Sequence, residues 1–125
     1  MPLKPEALKT AWEKRDGPLV LATVDADGTP NAIYVMSVKL LSDGRIAIAD
    51  NKFHKTRANI KNGSRGSLLF IAKDHTAYQA KGTIEYIASG PIYEDMLTWV
   101  DARFARVAVA VLRVEHLFSG AEKLA

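Results

Sequence analysis

Ile46-Ala47-Ile48-Ala49-Asp50-Asn51-Lys52-Phe53-His54-Lys55-Thr56-Arg57-Ala58-Asn59-Ile60-Lys61-Asn62-Gly63 reads as a short apolar strand that stops at Asp50-Asn51 and feeds directly into a helix. The first turns of that helix carry Lys52, His54, Lys55, Thr56 and Arg57. A helix start leaves backbone N–H groups unpaired, with a partial positive charge beside them. Basic and hydroxyl side chains added there make an anion site, and phosphate is a common occupant. Lysine and arginine are ordinarily favoured at the opposite end of a helix, so this placement works against the dipole unless an anion offsets it. The same residues also suit a solvated basic helix that only bridges two strands.

Upstream of this run, Pro5 to about Lys14 fits a short amphipathic helix, with Leu8 and Trp12 at i, i+4 and Pro5 in its first turn. Gly17-Pro18 breaks it. Leu19 to Val24 is a predicted strand, Asp25-Ala26-Asp27-Gly28 a turn, and Pro30 to Leu41 a second strand. Ser42-Asp43-Gly44 turns the chain into the strand that ends at Ala49. Downstream, Asn62-Gly63 stops the basic helix. Ser67 to Ala72 and Thr76 to Ile87 are strands around the turn Lys73-Asp74-His75. Ser89-Gly90-Pro91 starts another helix, with the apolar stripe Tyr93, Met96, Leu97, Val100 and Phe104. Arg106 to Phe118 is the last strand, and Ser119 to Ala125 a polar tail.

Six predicted strands joined mostly by tight turns, with three short helices, make the chain mainly β: a closed or partly closed antiparallel barrel. Val107-Ala108-Val109-Ala110-Val111-Leu112 does not alternate, and a strand apolar on both faces is buried on both. One face fills the barrel. A partner subunit is the economical cover for the other, and one of the chain's own helices is the alternative.

The 125 residues are read as one domain, 1–125, with ordinary globular composition: 48% hydrophobic and 25% charged. The absence of cysteine excludes disulfides, thiolate metal sites and cysteine nucleophiles. Met1-Pro2-Leu3-Lys4-Pro5-Glu6 shows no apolar signal region, and no apolar run approaches a membrane span, so a cytoplasmic protein is expected. The net charge of +3 suits an anionic small ligand as well as nucleic acid.

Catalytic constellations are absent from the pattern. His54, His75 and His116 stand apart, with no second histidine at i+4, so no metal site is expected. There is no GxGxxG and no Walker loop. Gly63-Ser64-Arg65-Gly66 has the form of a KH clamp, but a strand follows it, so it reads as a turn. A barrel with a phosphate seat and no acid, base or nucleophile set fits a bound cofactor that does the chemistry itself.

The order of elements resembles the pyridoxamine-phosphate-oxidase-like, FMN-binding split-barrel superfamily, and its small FMN-binding members in particular. Leu19-Val20-Leu21-Ala22-Thr23 with Asp27-Gly28-Thr29-Pro30 is similar to that family's opening hairpin. Arg45 to Ala49 followed by His54-Lys55-Thr56 and Ala58-Asn59-Ile60 resembles its strand and phosphate-binding helix. Gln79-Ala80-Lys81-Gly82-Thr83 resembles the strand that follows.

The resemblance implies a six-stranded antiparallel split β-barrel with short flanking helices, forming a homodimer with FMN at the interface. It implies that His54, Lys55 and Thr56 hold the phosphate, with Asn59 one turn beyond Lys55. Asp50 and Asn51 would offer backbone groups to the ring edge, and Ile33, Tyr34 and Val35 would line the ring. Phe104 would approach from the partner chain, and Lys81 would lie near the polar edge of the ring or its ribityl chain. A deazaflavin is the less favoured cofactor. Arg113, Glu115 and His116 do not reproduce the carboxyl-terminal basic residues of true pyridoxamine phosphate oxidases, which speaks against vitamin B6 oxidation. The expected function is an FMN-binding oxidoreductase or electron-transfer flavoprotein. The alternative is a basic β-barrel that binds nucleic acid without a cofactor.

Overall fold

The computed structural model describes residues 5–125. The reading of the chain's first four residues as free of a signal segment lies outside the described part. The elements run α1 (Pro5–Glu13), β1 (Leu19–Val24), β2 (Pro30–Val35), β3 (Val38–Leu40), β4 (Ile46–Asp50), α2 (Lys55–Lys61), β5 (Arg65–Ile71), β6 (Ala77–Ile87), α3 (Pro91–Trp99), β7 (Ala108–Ser119) and β8 (Glu122–Lys123). The strands form one antiparallel sheet in the order β2-β1-β5-β6-β7-β4-β3, with β8 added to β7.

The mainly β class and curled antiparallel sheet agree with a split barrel, but the sheet path holds seven strands rather than the six expected. The predicted strand Pro30–Leu41 is two strands, β2 and β3, broken at Met36-Ser37. The two pieces are the two ends of the sheet path, and the chain crosses the open seam between them. Ser37 accepts the Ala49 N–H at 2.9 Å, so the crossing is fastened to β4.

The barrel interior is filled by alternate residues of its strands. Leu19, Leu21, Ile46, Ile48, Leu68, Phe70, Ala80, Ala110, Leu112 and Leu117 are buried there, with Leu8, Ala11 and Trp12 of α1 packed against them. Trp12 meets Phe70 edge-on at 5.4 Å, and Phe70 stacks on Tyr78 at 5.5 Å. Gly82 sits at a register shift where β6 crosses β7, and a Cβ there would lie 1.8 Å from the Arg113 carbonyl oxygen. Only glycine fits that approach.

A second apolar layer lies on the outside of the sheet. Ala47, Ala49, Val109 and Val111 point away from the barrel and are covered by Met96 and Val100 at the α3 end of the chain. The apolar run of β7 is therefore buried by its own helix, and Ala108 to Leu112 are all at most 1% exposed. This corrects the expectation that a partner subunit covers that face. The stripe of α3 also stops short of its predicted length: the helix ends at Trp99, and Phe104 lies in the loop beyond it. Among the described residues no helix is long and apolar enough to cross a membrane.

Candidate functional site

The β4–α2 elbow is built around one buried carboxylate. Asp50 is 0% exposed and accepts four hydrogen bonds: from the Phe53 N–H at 2.8 Å, Arg57 Nε at 2.7 Å, Arg57 Nη2 at 3.1 Å and the Tyr86 hydroxyl at 2.5 Å. These contacts bend the chain out of β4 and fix where α2 starts. The Arg57 guanidinium is pushed up from its ordinary pKa chiefly by its hydrogen bond to Asp50. Burial first, and then the Asp50 carboxylate, push the Tyr86 phenol up to about 12.

An open cleft of about 660 Å³ lies at the seam between β2 and this elbow. Its walls come from Asn31, Ile33 and Val35 on one face of β2, from Asn51 to Thr56 on the elbow, and from Phe104 on the α3–β7 loop. Met36 and Ser37 close the seam side, and Tyr34, on the alternate face of β2, borders the rim with 77% of its surface exposed. The lining holds Lys52, His54 and Lys55 and no aspartate or glutamate. Cavities of roughly 300–1,000 Å³ with apolar walls and a few placed polar groups are the usual seats of small ligands and cofactors.

Thr56 is fully buried at the cleft wall, and its hydroxyl oxygen accepts from Asn31 Nδ2 at 3.0 Å. Lys55 is 57% exposed along its side chain and pairs with Asp25 Oδ2 at 2.9 Å. His54 is exposed at the α2 N-cap and makes no capping hydrogen bond through its side chain. Since α2 is only seven residues long, these side chains, rather than a long helix dipole, set the charge here.

The Phe104 wall is pinned from two sides. Arg106 has φ +48°, in the left-handed region. Its N–H donates to Asn51 Oδ1 at 3.0 Å, and its carbonyl accepts the Tyr93 hydroxyl at 3.0 Å. The Arg103 guanidinium lies 5.1 Å from the Phe104 ring centroid.

Of the residues expected at a site, Ile33, Tyr34, Val35, Asn51, His54, Lys55, Thr56 and Phe104 come together around this cleft. Three do not line it. The Asp50 side chain is the buried hub of the elbow, and its backbone carbonyl is already bonded to the Val107 N–H at 2.8 Å. Asn59 is 2% exposed and donates to Thr23 Oγ1 at 3.0 Å, so it ties α2 to β1. Lys81 is exposed on β6, with its ammonium 4.9 Å from the Phe118 ring. Phe104 lines the cleft of its own chain, whereas it was expected to approach from a partner.

Known proteins resemble this chain in sequence and fold. The family model for pyridoxamine 5'-phosphate oxidase matches residues 5–121. The chain belongs to the pyridoxamine 5'-phosphate oxidase family. HupZ of Group A Streptococcus is 28% identical with a TM-score of 0.76, over 94% of this chain and 93% of that one. An FMN-binding protein from Syntrophomonas wolfei is 16% identical with a TM-score of 0.78, over 96% of this chain and 85% of that one; it shows the shared fold. An uncharacterised protein of Methanocaldococcus jannaschii is 36% identical over 72 residues, 56% of this chain, and the matched part spans 48% of that relative.

Within this family member, sequence reasoning overlooked Asn31. Its signal was parity: Asn31, Ile33 and Val35 share one face of a strand. An amide two residues before an apolar pair on an edge strand stands where it can meet the next element. Among the described residues no three His, Asp or Glu side chains gather as a metal site.

Proposed function

We propose that this family member is an FMN-binding flavoprotein of the oxidoreductase or electron-transfer type, with the flavin in the cleft between β2 and the β4–α2 elbow. The supporting observation is the cleft lining. It brings apolar walls from Ile33, Val35, Phe53 and Phe104 together with the donors Asn51, His54, Lys55 and Thr56. A flat apolar ring carrying a phosphorylated tail suits that division. Ile33 and Val35 would lie against the ring and exclude water, while Lys55 and the Thr56 hydroxyl would hold the phosphate. A bound flavin supplies redox chemistry of one or two electrons, for which the protein need only bind, orient and shield. The cationic lining favours FMN over uncharged riboflavin. A deazaflavin with a phosphate-bearing tail would use the same groups and is the less favoured occupant.

The protein is further read as a cytoplasmic homodimer. The face offered to a second copy is the outer side of β1, β2 and β5, not β7. Tyr34 and Leu69 are both cross-strand partners of Val20, and they are 77% and 40% exposed. Ile71 and Val24 extend the patch at 41% and 46%. Exposed apolar patches of this kind mark interaction surfaces. This one is continuous with the cleft rim through Tyr34.

Lys55→Ala tests the phosphate contact. FMN binding is expected to weaken by roughly fivefold, modest because the ammonium is solvated and shared with Asp25. Riboflavin binding is expected to stay the same. Fluorescence titration of both flavins against both proteins reads the difference. Equal losses for the two flavins would remove Lys55 from the phosphate site.

A further inference from the structure

The lysine expected to hold phosphate already has an anionic partner. Asp25, in the turn between β1 and β2, places Oδ2 2.9 Å from Lys55 Nζ. The carboxylate is not a loose surface group. Its other oxygen, Oδ1, accepts the N–H groups of Asp27 at 3.3 Å and Thr29 at 3.2 Å, which fixes the turn. Asp25 is 15% exposed along its side chain, against 57% for Lys55, so the acid is the enclosed partner and the base the solvated one. The hydrogen bond from Lys55 helps hold the Asp25 carboxyl down at about 2, after the larger effect of Asp27. Asp25 in turn raises Lys55. Both therefore stay charged across the neutral range.

We propose that Asp25 sets the affinity of the cleft for phosphate, by competing for the Lys55 ammonium with any phosphorylated ligand that enters. The inference rests on the reading of Lys55 as the phosphate lysine. An ammonium has three donors and can be shared, but a carboxylate and a phosphate on one lysine repel each other. Against this stands a smaller effect: Asp25 holds Lys55 in place and lowers the entropy lost when it binds. The Lys55 side chain is mostly exposed, so holding it contributes little, whereas the fixed Asp25 carboxylate meets an added anion with a full unit of like charge. Competition wins, and Asp25 acts as a brake. Such a brake lets the cleft release a phosphorylated flavin, and it raises the discrimination required of the other contacts, Thr56 and Asn31.

Asp25→Asn isolates the charge. An asparagine side-chain oxygen accepts the same two turn N–H groups, so the hairpin keeps its shape. The variant is expected to bind FMN roughly fivefold tighter, about the size of one unit-charge contact in water-like surroundings. Riboflavin binding is expected to stay within about twofold, because it has no phosphate to repel. In the Lys55→Ala background the gain for FMN is expected to fall within the same margin, because without the shared ammonium the phosphate is no longer drawn against the Asp25 carboxylate. Inorganic phosphate titrated against the Thr56 amide resonance reads the same contact without flavin, and it too is expected to bind tighter in Asp25→Asn. A protein that binds no flavin but shows this phosphate effect would refute the flavoprotein reading and keep the brake. Weaker or unchanged FMN and phosphate binding in Asp25→Asn, or a gain that persists in full without Lys55, would overturn it.

Discussion

Asp50→Ala is expected to lower the stability of the barrel by about 3 kcal/mol. The carboxylate it removes is fully buried and receives four hydrogen bonds, from the Phe53 N–H, two Arg57 nitrogens and the Tyr86 hydroxyl. Breaking a buried ion pair from one side typically costs about 3–5 kcal/mol, because the remaining charge is left unpaired. The lower end applies here, since the Arg57 side chain is 31% exposed and its guanidinium can reach water. The loss is a large part of the usual ~5–15 kcal/mol of domain stability. Urea unfolding followed by tryptophan fluorescence measures it. A loss under about 1 kcal/mol would show that Asp50 behaves as a solvated surface acid.

Val111→Asp and Leu69→Asp are expected to separate the two apolar surfaces of the sheet. Val111 is 1% exposed beneath α3, so an aspartate there buries a charge with no partner. The expected cost is at least about 4 kcal/mol, a large part of the stability of a domain this size, so the variant is expected to unfold at much lower urea. Leu69 is 40% exposed on the opposite part of the sheet, so Leu69→Asp leaves the chain folded. If the β1–β2–β5 face joins two copies, that variant is monomeric while the wild type is dimeric. Circular dichroism with light scattering reads both. A folded, dissociated Val111→Asp would return the interface to β7. A Leu69→Asp variant that stays dimeric would remove it from β5.

Local chemistry made much of the fold legible. The turns Asp25–Gly28 and Ser42–Gly44 are fixed by glycines at φ +88°, a conformation that side-chain-bearing residues avoid. The strand-to-helix elbow could be read because the apolar run Ile46 to Ala49 ends at Asp50. The break at Met36-Ser37 was not legible, since a lone serine without glycine or proline beside it is a weak turn signal and the seam exists only once the sheet curls. The covered face of β7 was misread for a related reason. The stripe Met96 to Val100 was visible, but nothing local says which strand a helix packs on.

The site divides in the same way. Ile33, Val35, His54, Lys55 and Thr56 lie on two short segments whose period and charge are local. Asp50 was expected to offer a backbone group to the ring edge because the resemblance implied it; that its side chain is a buried hub depends on Tyr86, 36 positions away, and was not legible. Asn59 was misplaced by a similar long-range bond, to Thr23. Phe104 was counted into the helical stripe because its spacing continues that of α3, but the chain leaves the helix at Trp99. The Asp25–Lys55 pair joins a turn to a helix across strand β2, and neither residue type announces the other.

The claim beneath all of this is that the cleft between β2 and the elbow is a flavin seat. Titration of the isotopically labelled wild-type protein with FMN, followed through its amide resonances, tests that claim at residue level. The account predicts saturable shifts at Asn31, Ile33, Lys55, Thr56 and Phe104, and smaller ones on β6 near Lys81. Amides at the cleft that do not respond to FMN, in a protein that instead shifts with an oligonucleotide, would contradict it.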